Sequence, residues 1–402
     1  MTFGIIGVTL TGNMGGQAML EAALDELRKN APEATFRLFS LDAAADRTIN
    51  PHPDLEIVNA SPAKLMITSF LVSLLILLVP ILRTRLRSFR PLLLDQVSTC
   101  DAMVDLAGIA FVDGRGWPLL IYNTAVCLPS FATGVPHYKL SQALGPFQQR
   151  LNRTVARYVL NHCARVIARG HLSAENLKTV GLQKPEILPD VSFALELNES
   201  DWQAARELLP SDFREPWVTV SPSRIVQTLS EAQGGHYLDA LSEFVHGLRS
   251  TGVPVVIAPH SLATGRSKNN DLDCAAALAG RFQADPEVIH VDAPPNARVL
   301  RALFGLSRCV VSSRFHACVA AVSTGVPVIT LAWGHKYHDL LAPFGLEHFI
   351  LDGAVATAAD ITDAWQRLLA DEVAIRDRVA AVALDHRRRA RLNFSDLHAV
   401  AI

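Results

Sequence analysis

Two doubly wound α/β domains facing each other across a cleft are the architecture this sequence predicts. Three observations carry that reading. Strand and helix patterns alternate along the chain, the alternation pauses at a polar stretch and resumes, and charged or glycine-rich motifs recur where strands end. Such alternation builds a parallel sheet covered by helices on both faces. The chain has 402 residues, half apolar and 19% charged, enough to bury more than one core. That composition excludes disorder, collagen and coiled coil as global descriptions. A net charge of −2 offers no excess for binding nucleic acid.

In the first domain, residues 1–198, Phe3–Val8 is a short apolar strand followed by the loop Thr9–Gly16. Met1–Gly7 runs straight into that strand, with no signal-peptide pattern. Gln17–Lys29 carries helical spacing, and Phe36–Phe39 reads as the next strand. Ala102–Ala107, His137–Ser141 and Arg165–Ala168 follow as strands, with helices at about Tyr122–Ala132, Arg153–Asn161 and Ser173–Val180. The polar stretch Glu199–Pro216 marks the junction. The second domain, 199–375, has strands at Trp217–Val220, Val253–Ala258, Val288–Val291, Cys309–Ser312 and Val326–Leu331. Its helices fall at about Gly235–Arg249, Asp271–Ala279, Ala297–Leu306 and Phe315–Ser323. One last helix, about Thr362–Ala383, leads into a basic tail, so 376–402 is read as a terminal helix and tail. The six cysteines form no C-x-x-C pair and read as buried, reduced thiols of a cytosolic protein.

Leu65–Leu82 interrupts this pattern with eighteen uncharged residues, followed by Arg83, Arg85, Arg87 and Arg90. The run is apolar on all sides, so it is expected to be buried in protein or lipid. Its length is the lower limit for spanning a bilayer. A single crossing would put two strands of one sheet on opposite sides of the membrane. The segment is therefore read as docking peripherally on the cytoplasmic face, with the arginines on anionic lipid. A buried core helix or a helix in a homodimer interface are its other readings.

Two motifs sit where parallel sheets bind ligands, at strand carboxyl ends. The loop Thr11-Gly12-Asn13-Met14-Gly15-Gly16 opens a helix, and glycines there let a ligand approach the backbone. It is neither a Walker A loop nor G-x-G-x-x-G. Asp42 after the second strand is where a dinucleotide fold keeps its ribose ligand, and a plain tight turn is the ordinary reading of the loop. In the second half, Cys309-Val310-Val311-Ser312-Ser313-Arg314-Phe315-His316-Ala317 runs from strand to helix. Arg314 can hold a phosphate or carboxylate, and His316 can act as an acid. The ordinary alternative is that both are satisfied by nearby backbone carbonyls. Lys336 and Arg169 are further strand-end cations, and the three together point to a small, doubly anionic ligand.

These residues resemble the polysaccharide pyruvyl transferase family. Gly12-Asn13-Met14-Gly15 matches its opening loop, and Leu106-Ala107-Gly108, Gly145-Pro146-Phe147, Arg169 with Ser173, and Pro189-Asp190-Val191-Ser192-Phe193 follow in order. Ser313-Arg314-Phe315-His316-Ala317, Gly325-Val326-Pro327 and Lys336 match its most specific part. Gly16 and Ile109 depart from the pattern, standing where the family has an aspartate and a second glycine.

The resemblance implies two Rossmann-like domains of the GT-B kind. It implies transfer of a pyruvyl group from phosphoenolpyruvate to two hydroxyls of a sugar, on a cell-surface polysaccharide or its lipid-linked precursor. A ketal forms and phosphate leaves. His316 would serve as acid/base or phosphate contact, and Arg169, Arg314 and Lys336 would hold the anion. Gly12, Asn13, Gly15 and Ser313 complete the expected set, and no metal or cofactor is required. The alternatives are a GT-B glycosyltransferase using a nucleotide sugar and a non-enzymatic, membrane-docked binding protein.

Overall fold

The computed structural model describes residues 1–79, 81, 91–262, 270–334 and 336–401, without the side chains of 398–401. Two compact units emerge. The first comprises Met1–Thr11, Met19–Leu195 and Arg389–Ile402, and the second Gly12–Ala18 and Glu196–Arg388.

The first unit is built on a parallel sheet. Its strands are β1 (Thr2–Ile6), β2 (Thr35–Ser40), β3 (Leu55–Asn59), β4 (Ala102–Asp105), β5 (Ile109–Ala110), β6 (His137–Leu144), β7 (Arg165–Ala168) and β8 (Glu186–Ile187). Their order is β3-β2-β1-β4-β6-β7-β8, with β5 on β6. Ile6 lies level with Asp105, and Asp105 with Lys139. The strands in the middle read as unbroken apolar runs because helices cover both faces. Phe3, Ile5, Leu38, Val104 and Leu140 are all buried.

The second sheet has β9 (Val218–Ser221), β10 (Val255–Ile257), β11 (Val288–His290), β12 (Cys309–Ser312), β13 (Val328–Ala332) and β14 (Ile350–Asp352), ordered β11-β10-β9-β12-β13-β14. All its pairings are parallel. The strand order reverses between β9 and β12, so Ser221 and Ser312, level with one another, mark its switch point.

One expectation is corrected. The last helix is really two, Ala358–Ala370 and Glu372–Arg391. The first opens on a capping box, in which Thr357 and Asp360 satisfy each other's backbone N–H groups. The apolar segment is buried in the protein on one face only. A π-helical turn, Lys64–Ser69, leads into the helix Phe70–Leu78. Leu65, Ser69, Ser73 and Ile76 face inward, while Ile67, Leu71, Leu75 and Leu78 are exposed. The small serines allow close packing on the helix Gly116–Thr133, and that packing leaves the leucines outside. Among the described residues no helix is long and apolar enough to cross a membrane. Pro80 and the four arginines 83, 85, 87 and 90 lie outside the described residues.

Candidate functional site

The two motifs singled out in the sequence meet within the second unit. Thr11 is tied by its backbone N–H and hydroxyl to Asp46, at 2.9 and 2.7 Å. The chain then turns through Gly12 at φ 80°, a conformation that excludes most side chains. The Gly12 carbonyl accepts the Leu262 N–H at 2.6 Å, and Met14 N–H donates to the His260 carbonyl at 3.3 Å. The Asn13 side chain accepts from Gly15 N–H at 2.9 Å, closing the turn. Gly15 lies directly against the His316 ring. A Cβ at Gly15 would stand 2.5 Å from His316 Cβ and closer still to Cγ and Nδ1. Gly15 is thus a seat for His316, which gives this glycine a reason that spacing alone could not.

Arg314 follows β12 at the switch point. Its Nε and Nη2 donate to the two carboxylate oxygens of Asp271, at 2.7 and 2.6 Å. Such a two-pronged pair fixes the plane of the guanidinium. Asp271 is fully buried and also accepts from Arg224 N–H at 2.9 Å and Ser261 N–H at 3.1 Å. Burial pushes its carboxyl upward, and Arg314 only partly offsets this. Ser313 is held from two sides. The Tyr237 and Ser313 hydroxyls share a hydrogen bond of 2.7 Å, and Tyr337 donates to the Ser313 carbonyl at 2.8 Å. Burial raises both phenols, keeping them protonated as donors. Lys336 opens the helix Lys336–Leu341 with its ammonium over the rings of Trp333, Phe315 and Tyr337, at 4.3, 5.3 and 5.5 Å.

Positive charge is concentrated here. His260, nearly fully buried, is driven well below the usual imidazole value, first by burial and then by His316, Arg314 and Arg301. It is therefore neutral beside three cationic or protonatable groups. Arg301 lies in the helix Ala297–Gly305 and is itself buried. Sequence reasoning missed Asp271, Arg301 and His260. The available signal for Arg301 was a cation set between Leu300 and Ala302, on the side of the helix that carries its apolar residues. Asp271 lies 43 positions before its partner, with no periodicity linking the two.

Arg169 and Asp42 lie in the first unit. Arg169 directly follows β7 and pairs with buried Asp190 at 2.5 Å. Asp42 caps the helix Ala43–Ile49 through the Ala45 N–H. Spacing gave no metal-ligand pattern, yet the fold collects Asp105, Cys127 and His137, all buried, with ligand atoms within 4.8 Å. Lys139 extends to the same Asp105 oxygen, so the chain supplies its own cation to this group. Burial raises the Asp105 carboxyl, but Lys139 and His137 outweigh it and hold the group well below the usual carboxylate range.

Two parallel doubly wound sheets with strand-end cations define a two-domain, Rossmann-like protein of GT-B architecture. Its solved neighbours agree. The UDP-GlcNAc 2-epimerase of Neisseria meningitidis bound to UDP-GlcNAc superposes with a TM-score of 0.60 at 12% identity, over 99% of each chain. A UGT transferase of Siraitia grosvenorii in complex with UDP gives 0.57 at 12% identity, over 100% of each. At such identity the likeness is one of fold. The polysaccharide pyruvyl transferase family model matches residues 13–335, and the chain belongs to that family. The amylovoran biosynthesis protein AmsJ of Erwinia amylovora is 21% identical over 271 residues, a stretch spanning 64% of this chain and 63% of that relative.

Proposed function

We propose that this protein transfers the pyruvyl group of phosphoenolpyruvate to two hydroxyls of a sugar in a cell-surface polysaccharide or its lipid-linked precursor. The observation that carries the reading is the gathering of Arg301, Arg314 and His316 around neutral His260, against the Gly12–Gly15 turn. Phosphoenolpyruvate carries a phosphate and a carboxylate, and such a cationic patch suits both. His316 delivers a proton to the methylene carbon, which becomes a methyl group. The adjacent carbon takes on oxocarbenium character and a sugar hydroxyl attacks it, its proton passing to the His316 imidazole that has just given one up, which leaves a phosphorylated tetrahedral intermediate. The carbon–oxygen bond to phosphate then breaks, the second hydroxyl closes the ketal, and its proton leaves with the phosphate. Arg314, held in plane by Asp271, and Lys336 meet the anion. Asp271 acts through Arg314 and is a positioning residue.

The test is incubation with phosphoenolpyruvate and candidate glycolipids, following phosphate release and the mass of the product. Arg314→Ala is expected to abolish release while the melting curve stays cooperative. Unchanged turnover in that variant overturns the assignment. The neighbours solved with UDP ligands favour one second reading, a glycosyltransferase using a nucleotide sugar. A melting shift with UDP- or GDP-sugars and none with phosphoenolpyruvate decides for it. Tight phosphoenolpyruvate binding without turnover decides for a non-enzymatic binding protein.

The reading also places the exposed apolar face of Phe70–Leu78 on the cytoplasmic leaflet. It is supported by the exposed Leu71, Leu75 and Leu78 and by the arginine-rich sequence that follows. Flotation with vesicles of anionic lipid tests it. The double variant Leu71→Asp/Leu78→Asp is expected to stay soluble and folded but not to float. Equal flotation by both proteins refutes it.

A further inference from the structure

The first unit contains a pocket of about 170 Å³, lined among others by Phe111, Trp117, Leu120, Asn123, Leu151 and Asn152. We propose that it is a carbohydrate subsite that holds one ring of the acceptor, an inference that rests on the pyruvyl-transfer reading.

The chemistry of the lining selects the ligand. None of the lining residues is Asp, Glu, Lys or Arg, so the site suits neither a phosphate nor a carboxylate. Its polar groups are the amides of Asn123 and Gln149, which both donate and accept as hydroxyl-rich ligands require, and that of Asn152, whose oxygen is left to accept. Asn123 is the pointed observation. The residue is only 5% exposed, and among the described residues its side-chain amide makes no hydrogen bond. An amide that lines a pocket without a protein partner marks a place for one. At the rim Trp117 is 70% exposed and Leu151 64%. An indole offers a broad flat apolar surface, which fits the C–H face of a pyranose.

The walls are preset. Asn152 donates to the Phe111 carbonyl at 2.8 Å and to Asp113 at 2.7 Å. Asp113 also accepts from the N–H groups of Gln148 and Gln149, at the start of the helix Arg150–His162. Phe111 has φ 53°, the one positive value at a non-glycine among the described residues. Bulky residues rarely adopt that conformation, and the Asn152 bond to its carbonyl helps to hold it there. A neutral, hydroxyl-bearing ligand with one apolar face is what such a rigid, uncharged pocket can recognise.

Saturation-transfer NMR on the full chain, with methyl glycosides of galactose, glucose, mannose and N-acetylglucosamine as probes, tests this. At least one glycoside is expected to bind, and Trp117→Ala and Asn123→Leu are each expected to weaken it at least tenfold. The melting shift caused by phosphoenolpyruvate should be the same in wild type and variants. If no glycoside binds, or if both variants bind as wild type does, the proposal is overturned. If Asn123→Leu does not fold, the exposed Trp117→Ala decides alone. A wild-type chain that binds a glycoside in this way but ignores phosphoenolpyruvate keeps the subsite and overturns pyruvyl transfer, so the two failures are distinct.

Discussion

Replacing Gly15 by alanine adds one carbon where the His316 ring already sits. The new Cβ would stand 2.5 Å from His316 Cβ and nearer to the ring, whereas ordinary contact begins at 3.4 Å. Either the turn or the imidazole must therefore move by roughly 1 Å. The turn is fixed by Gly12 and Met14 bonding to the stretch 260–262, so most of the displacement falls on His316. Overpacking of this kind costs about 1–3 kcal/mol. At about 2–4 °C per kcal/mol for a unit of this size, the melting point should drop by several degrees. On the proposed role of His316 as proton donor, a displacement of roughly 1 Å costs about a hundredfold in rate. Phosphate release from phosphoenolpyruvate reads the rate, and calorimetry reads the stability. A Gly15→Ala variant with wild-type turnover and melting would refute the claim that this glycine seats His316.

The other predictions rest on buried charge. Arg314→Lys should be nearly as inactive as Arg314→Ala in the phosphate-release assay, because an ammonium cannot reproduce the paired N–H groups on Asp271; substantial activity in the lysine variant argues against the planar role. His260 is held neutral in the fold, while its unfolded counterpart takes up a proton below about pH 6.5. Its contribution to stability is therefore complete above that pH and is lost on acidification toward its folded value, at up to about 1.4 kcal/mol per pH unit. Urea unfolding between pH 7 and 5 should show a shallower pH dependence in His260→Gln, and an identical dependence rejects the assignment. Lys139→Met should cost about 3–5 kcal/mol by leaving Asp105 buried without its cation. The double variant Asp105→Leu/Lys139→Met should cost clearly less than the two single changes together, and additivity in the urea cycle would deny the coupling.

The central strands were legible because parallel sheets bury both faces, so β1, β4, β9, β10, β12 and β13 each appear as a compact apolar run. The strands missed, β3, β8 and β14, lie at sheet edges, and β5 is a two-residue piece. An edge strand such as Leu55–Asn59, with exposed Glu56, carries no such run. The single helix read at Thr362–Ala383 failed differently. Thr357 and Asp360 form a capping signal visible in sequence, but the break at Asp371 is marked by neither glycine nor proline. At the site, Gly12, Asn13, Gly15, Arg314 and His316 announced themselves by motif. Asp271, His260 and the two tyrosines did not, because each enters through a tertiary contact between distant stretches of chain.

The division of the chain between the units also bears on how the protein is made. The Gly12–Ala18 turn emerges from the ribosome early but belongs to a unit whose other residues begin at Glu196. The first unit, conversely, lacks one of its segments until residues beyond Arg388 have been translated. Asn393 accepts from Ser141 N–H at 3.0 Å, and Arg165 donates to the carbonyls of Leu392 and Asn393 at 3.2 Å. A nascent chain halted at Leu195 would therefore hold an open β6–β7 region and an unoccupied His316 seat. Fragments cut at that apparent boundary are poor candidates for separate expression, whereas co-expressed halves that exchange these two short segments could reassemble.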